Sequence, residues 1–197
     1  MTDREQLYRG ATCAAWGYFF LYVDINLFGL NVLPNFAAYW LFLSAIRHLS
    51  AQRRDLELLR PLGGFLLVWS LADWCAPILN TTLDGRFPIL DALVAAAGLY
   101  FHFQLFTDCA ALAAAHEPEG GGLEKRFLRW RTVHAVTQTA AMLLAAADRW
   151  VQKPWTVLMA GLAVVIIVTA FCLMGCMFAL RKLFQEEPEP PEAAELP

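Results

Sequence analysis

From Gly10 to Ile46 the chain runs through 37 residues in which Asp24 is the only charge, and it then meets a basic block that ends at Arg60. The alternation recurs twice. Pro61 to Ala115 is apolar but for a break at Asp84-Gly85-Arg86, and Thr132 to Leu180 is apolar but for Asp148 to Pro154. A straight helix over the first region would be about 55 Å long, nearly twice the roughly 30 Å of a bilayer's hydrocarbon. Each region is therefore predicted to be a hairpin of two helices.

The expected fold is all-α, a polytopic six-transmembrane-helix bundle made of three hairpins, with helices over about 10–28, 35–49, 61–83, 88–115, 132–149 and 155–180. The first turn falls at Gly29 to Asn35, where Gly, Asn and Pro34 break the helix. The second helix is short enough for this turn to dip into the membrane as a re-entrant segment, an alternative the sequence leaves open. A single transmembrane domain, residues 1–184, is followed by an acidic, proline-rich tail, 185–197, expected to be disordered and cytoplasmic.

Composition supports the membrane reading, since 58% of residues are apolar and 17% charged, against about 45–50% and roughly 25% in soluble domains. Charge then sets the orientation. With the N-terminus inside, twelve of the 15 Lys and Arg residues fall in inside segments, leaving Arg86, Arg149 and Lys153 outside. That bias predicts cytoplasmic N- and C-termini in a plasma membrane, here a bacterial inner membrane. The apolar run after Arg9 is too long for a signal peptide's core and is expected to be retained.

The connector His116 to Gly122 is expected to be flexible, and it lacks the Lys-Ser/Thr of a phosphate-binding loop. Leu123 to Arg131 reads as a short basic helix on the inner leaflet, with Phe127 and Trp130 on one side. Ala11/Ala15, Ala110/Ala114 and Ala141/Ala145 read as helix-packing faces. The five cysteines lie in apolar segments without a C-x-x-C pair, which favours packing over disulfides.

Polar residues inside the spans are the candidate site, because ionisable groups in hydrocarbon are costly and point into the bundle. Ser70, Asp73, Pro77 and Asn80 share one stripe of the third helix, and Asp91, Gly98, His102 and Cys109 one stripe of the fourth. Asp73 lies 12 residues from Pro61 and His102 lies 13 from Ala115, so both are roughly 18–20 Å above the inner end and are expected to meet. Asp108 forms an i, i+4 pair with Gln104 and is expected to meet Gln138 at a shallower level. Asp24, at the outer end of a stripe through Cys13 and Gly17, is placed at the mouth of the bundle.

No nucleophile motif, metal-ligand spacing or haem-ligand pair is present, so no catalytic residue, metal or other cofactor is expected. Two functions compete. One is a solute- or ion-binding transporter component, taking a small solute or a proton at Asp73, His102, Asp24, Asp108 and Gln138 and docking with a membrane partner. The other is a non-transporting regulator or scaffold that engages a cytoplasmic protein through its loops and tail. The bilayer itself is the expected surrounding, and nucleic acid is not an expected partner.

Overall fold

The computed structural model describes residues 3–23, 26–27, 30–31, 34–79, 81, 86–118, 120–148 and 156–185. Six α-helices follow one another: α1 Asp3–Tyr22, α2 Asn35–Leu49, α3 Leu59–Cys75, α4 Pro88–His116, α5 Leu123–Asp148 and α6 Thr156–Gln185. The expected all-helical architecture is present, with one addition. Between α1 and α2 the strands β1 (Asn26–Leu27) and β2 (Leu30–Asn31) pair antiparallel, Asn26 opposite Asn31.

The six helices pack in a ring that follows chain order, α1 on α2, α2 on α3 and so on, closed by α6 against α1; α3 and α4 make the loosest seam. Three stretches, Arg54–Ile78, Pro88–His116 and Thr156–Gln185, are long and apolar enough to cross a membrane, and no more than 22% of each apolar window is buried. Val157 is 87% exposed and Ile89 81% exposed. Helices so apolar on their outward faces are what a bilayer accommodates and water does not.

Boundaries differ from expectation where backbone chemistry intervenes. The first helix starts earlier, at Asp3, and stops at Tyr22 rather than Phe28, the chain turning into the β ribbon. The third gives up α geometry after Cys75 and tightens into a 3-10 turn over Ala76–Leu79. Pro77, which cannot donate to the Asp73 carbonyl, lies in that turn. At its other end α3 is entered through a 3-10 turn at Arg54–Leu58.

Two further expectations are corrected. Leu123 to Arg131 is not a separate surface helix but the opening of α5, and Phe127 is fully buried, its ring 6.3 Å from that of Phe106. Nor is the preceding connector featureless. The Glu117 carboxylate accepts from the Leu123 backbone N–H at 2.8 and 3.0 Å, capping α5 where helical donors are orphaned. Gly120 (φ 97°) and Gly122 (φ 77°) supply the left-handed turns that bring it there. Asp24, residues 82–85 and 149–155, and the acidic tail beyond Gln185 lie outside the described residues.

α1 owes its close contacts to small residues. Ala11, Ala14 and Ala15 are fully buried, whereas Ala114 and Ala145 of the other two small-residue pairs are exposed. A Cβ at Gly17 would lie 2.6 Å from Phe42 Cε1, but one at Gly64 would meet nothing within 4 Å. Gly17→Ala should therefore lower stability in detergent by about 1–3 kcal/mol. Gly64→Ala should leave it unchanged or raise it by about 0.4–1 kcal/mol. Thermal unfolding followed by circular dichroism compares the two.

Candidate functional site

The interior is aromatic, and its polar groups are held within it. His102 of α4 is buried among the rings of Tyr18, Tyr39, Phe42 and Phe101, with centroids 5.4 to 6.1 Å away. Its Nδ1 lies 2.9 Å from the Tyr18 hydroxyl of α1. One turn further along α1, the Tyr22 hydroxyl lies 3.0 Å from His134 Nε2 of α5, and His134 Nδ1 is 2.8 Å from Thr169 Oγ1 of α6. The two tyrosine rings stack at 6.1 Å. Four helices thus contribute to one thread, two hydrogen-bonded sets joined by the stacked tyrosine rings.

Counting protons gives part of the thread a direction. Thr169 Oγ1 has a single proton and lies within donating distance of the Val165 and Ile166 carbonyls, at 2.9 and 3.0 Å. With its proton on either carbonyl, Thr169 accepts from His134 Nδ1–H, and in that tautomer Nε2 accepts from the Tyr22 hydroxyl.

A second cluster lies toward the end of the bundle where α2, α4 and α6 finish. Asp108 is 1% exposed; Oδ2 accepts from Gln104 Nε2 at 3.2 Å, and Oδ1 lies 3.6 Å from Arg53 Nε. Arg53 follows α2 and also approaches Asp55 at 3.9 Å. Because 3.6 Å is too long for a hydrogen bond, Arg53 Nε and Asp108 Oδ1 are both buried without one. Nearby, Arg131 Nη1 donates to Thr107 Oγ1 at 2.7 Å, and its guanidinium lies 4.0 Å from the Phe103 ring centroid.

The same end ties the chain's extremities together. Arg4 Nε donates to the Phe184 carbonyl at 3.2 Å, and Arg181 Nη2 donates to the Tyr8 hydroxyl at 2.9 Å. That donated bond, with the guanidinium charge, holds the Tyr8 phenol below its ordinary pKa. The Asp3, Arg4, Gln52 and His116 side chains line a cavity of about 330 Å³ there.

The five residues singled out from the sequence are distributed as follows. His102 and Asp108 are buried, Gln138 is half-buried on α5, and Asp73 lies on the exposed side of α3; Asp24 is outside the described residues. The hydroxyl that meets His102 comes from Tyr18 rather than a carboxyl from Asp73, and the side chains around Asp108 are Gln104 and Arg53 rather than Gln138. Tyr18, Tyr22, Thr169 and Arg53 escaped notice. Tyr18 and Tyr22 count as apolar in a hydropathy scan although their i, i+4 spacing puts both hydroxyls on one face. Thr169 is a lone hydroxyl at the middle of a helix whose interior lacks charge.

No protein-family model, curated protein or solved structure matches this chain. The site is therefore read from its own chemistry.

Removing the cation that faces a buried carboxylate leaves the carboxylate less compensated, an effect that solvent reduces here because the Arg53 side chain is 40% exposed. Arg53→Ala should accordingly destabilise the protein, and Asp108→Asn should suppress most of that loss in the double variant. A double-mutant cycle on thermal unfolding should return a coupling of about 0.5–1 kcal/mol.

Proposed function

We propose that the chain is a six-span protein of the bacterial inner (plasma) membrane, with both termini cytoplasmic, and that it serves as an ion-binding transporter component whose ion is the proton. The observation that carries this reading is the thread from Thr169 through His134 and Tyr22 to Tyr18 and His102. Imidazole and phenol are groups that accept and release protons, and ionisable groups inside a membrane bundle are the parts from which proton relays are built. Rings pressed around His102 suit a proton better than a bulky solute. The basic residues gathered at one end of the bundle support the orientation.

Tyr22→Phe removes one hydroxyl and keeps the ring. In proteoliposomes carrying an internal pH dye, the wild-type protein should dissipate an imposed pH gradient, and the variant should fall to the protein-free rate while still folding. Wild-type flux in Tyr22→Phe would falsify the relay. The regulator reading is favoured by a different observation, the ties of Arg4 to Phe184 and of Arg181 to Tyr8, which place the start of the chain beside the root of its acidic tail. Truncation after Gln185 that abolishes a cellular phenotype, with gradient dissipation intact, would support that alternative.

Orientation has its own test. In a variant lacking the native cysteines, Arg86→Cys should react in intact cells with a membrane-impermeant maleimide, and Lys125→Cys should react only after permeabilisation. The opposite pattern would reverse the topology.

A further inference from the structure

The outer surface between α4 and α5 is not smooth. A groove of about 440 Å³ runs between them, within the size range of small-ligand sites. Its walls are Ala96, Leu99, Tyr100 and Phe103 from α4, and Ala135, Thr139, Met142 and Leu143 from α5. The spacings i, i+3, i+4, i+7 and i, i+4, i+7, i+8 are single helix faces, so two stripes face each other along roughly 10–12 Å of the bundle's height.

Both stripes continue to one cation. Arg131 is one turn before Ala135, and Thr107, its hydrogen-bond partner, is one turn after Phe103, over whose ring the guanidinium lies. Arg131 Nε is buried without a hydrogen-bond partner. Among the described residues Arg131 also makes no ion pair. Glu124, on the same stripe, stands two turns further out, about 10 Å along the axis. The groove therefore ends at a guanidinium that forms no ion pair among the described residues, at the level where the inner leaflet's headgroups begin if the bundle is oriented as above.

We propose that this groove binds an anionic phospholipid of the inner leaflet, its phosphate on Arg131 and one acyl chain between α4 and α5. The guanidinium fork matches a phosphodiester, and basic pockets between membrane helices on the cytoplasmic side are where anionic headgroups bind. A partner helix fits the groove less well. Close helix approach needs small residues, and Tyr100, Phe103, Met142 and Leu143 are large. They leave a slot for a narrow flexible chain.

The inference rests on the membrane placement and orientation proposed above, but not on proton movement. Full-length protein in detergent would be titrated with phosphatidylglycerol or phosphatidylcholine and the bound lipid counted by native mass spectrometry. The wild-type protein should prefer phosphatidylglycerol, and Arg131→Gln should lower that affinity about tenfold, the loss of one charge-assisted contact. Lys125→Gln, which removes a neighbouring charge outside the groove, should not. Ala96→Phe, at an exposed position, should fill the slot and weaken both lipids.

Equal losses in Arg131→Gln and Lys125→Gln would reduce the effect to general surface charge and overturn the proposal. So would undiminished binding in Ala96→Phe, or binding of a partner protein's helix that phosphatidylglycerol fails to displace. Resistance of the cellular protein to alkaline carbonate extraction reports membrane insertion separately. A failure there would sink the placement itself, and a failure of lipid selectivity alone would sink only the groove assignment.

Discussion

The ring of helices depends on hydrogen bonds that cross it. α1 packs beside α2 and α6, yet its tyrosines reach His102 on α4 and His134 on α5, helices on the other side of the interior. An imidazole or phenol buried among aromatic rings without a partner would cost on the order of 1–3 kcal/mol, so each pairing penalises any rotation of α1 that breaks it. Apolar packing alone tolerates many rotations, because one ring can replace another. The Tyr18 and Tyr22 bonds select one. Gly17, between Cys13 and Leu21 on a neighbouring face, then lets Phe42 approach closely enough to seal the rings around His102.

That inner constraint complements an outer surface with almost none. Val157, Ile89, Leu143 and Val136 are exposed on α6, α4 and α5, and lipid tails solvate them as well as a protein neighbour would. In such a setting association gains little from burial and depends on packing and polar contacts. The stabilising polar contacts are accordingly concentrated in two places. One is the Tyr–His thread in the interior, and the other is the end where Arg53, Arg4 and Arg181 gather.

Much of the helical architecture was legible because it follows from the lengths of the apolar runs. The runs from Gly10, Pro61 and Thr132 are each long enough for two helices and hold two, and Pro34 and Pro88 mark helix starts that the structure keeps. The pairings were not legible. Stripe analysis puts Asp73 and His102 at one height, but height does not fix the rotation of a helix, and Asp73 turns to the exposed side of α3. The opening of α5 was misread for a related reason. Its charges suggested a membrane surface, although Phe127 lies among them on the face that packs against Phe106. Glu117 was invisible as a cap because its partner is six residues away across two left-handed glycines.

The direction of the hydrogen bonds bears on what the thread can do. In the arrangement derived above, Tyr22 donates to His134, His134 donates to Thr169, and Thr169 donates to the α6 backbone. A proton added at His134 Nε2 would make both ring nitrogens donors, so the Tyr22 hydroxyl would have to turn and accept. Its own proton would then point away from His134. Nδ1 already carries a proton in this arrangement, so Thr169 can donate to it only in the other tautomer, with its hydroxyl turned away from the Val165 and Ile166 carbonyls. A change of tautomer at His134 is thereby tied to the hydroxyl at the middle of α6, the helix whose C-terminal end is joined to α1 by the Arg4–Phe184 hydrogen bond.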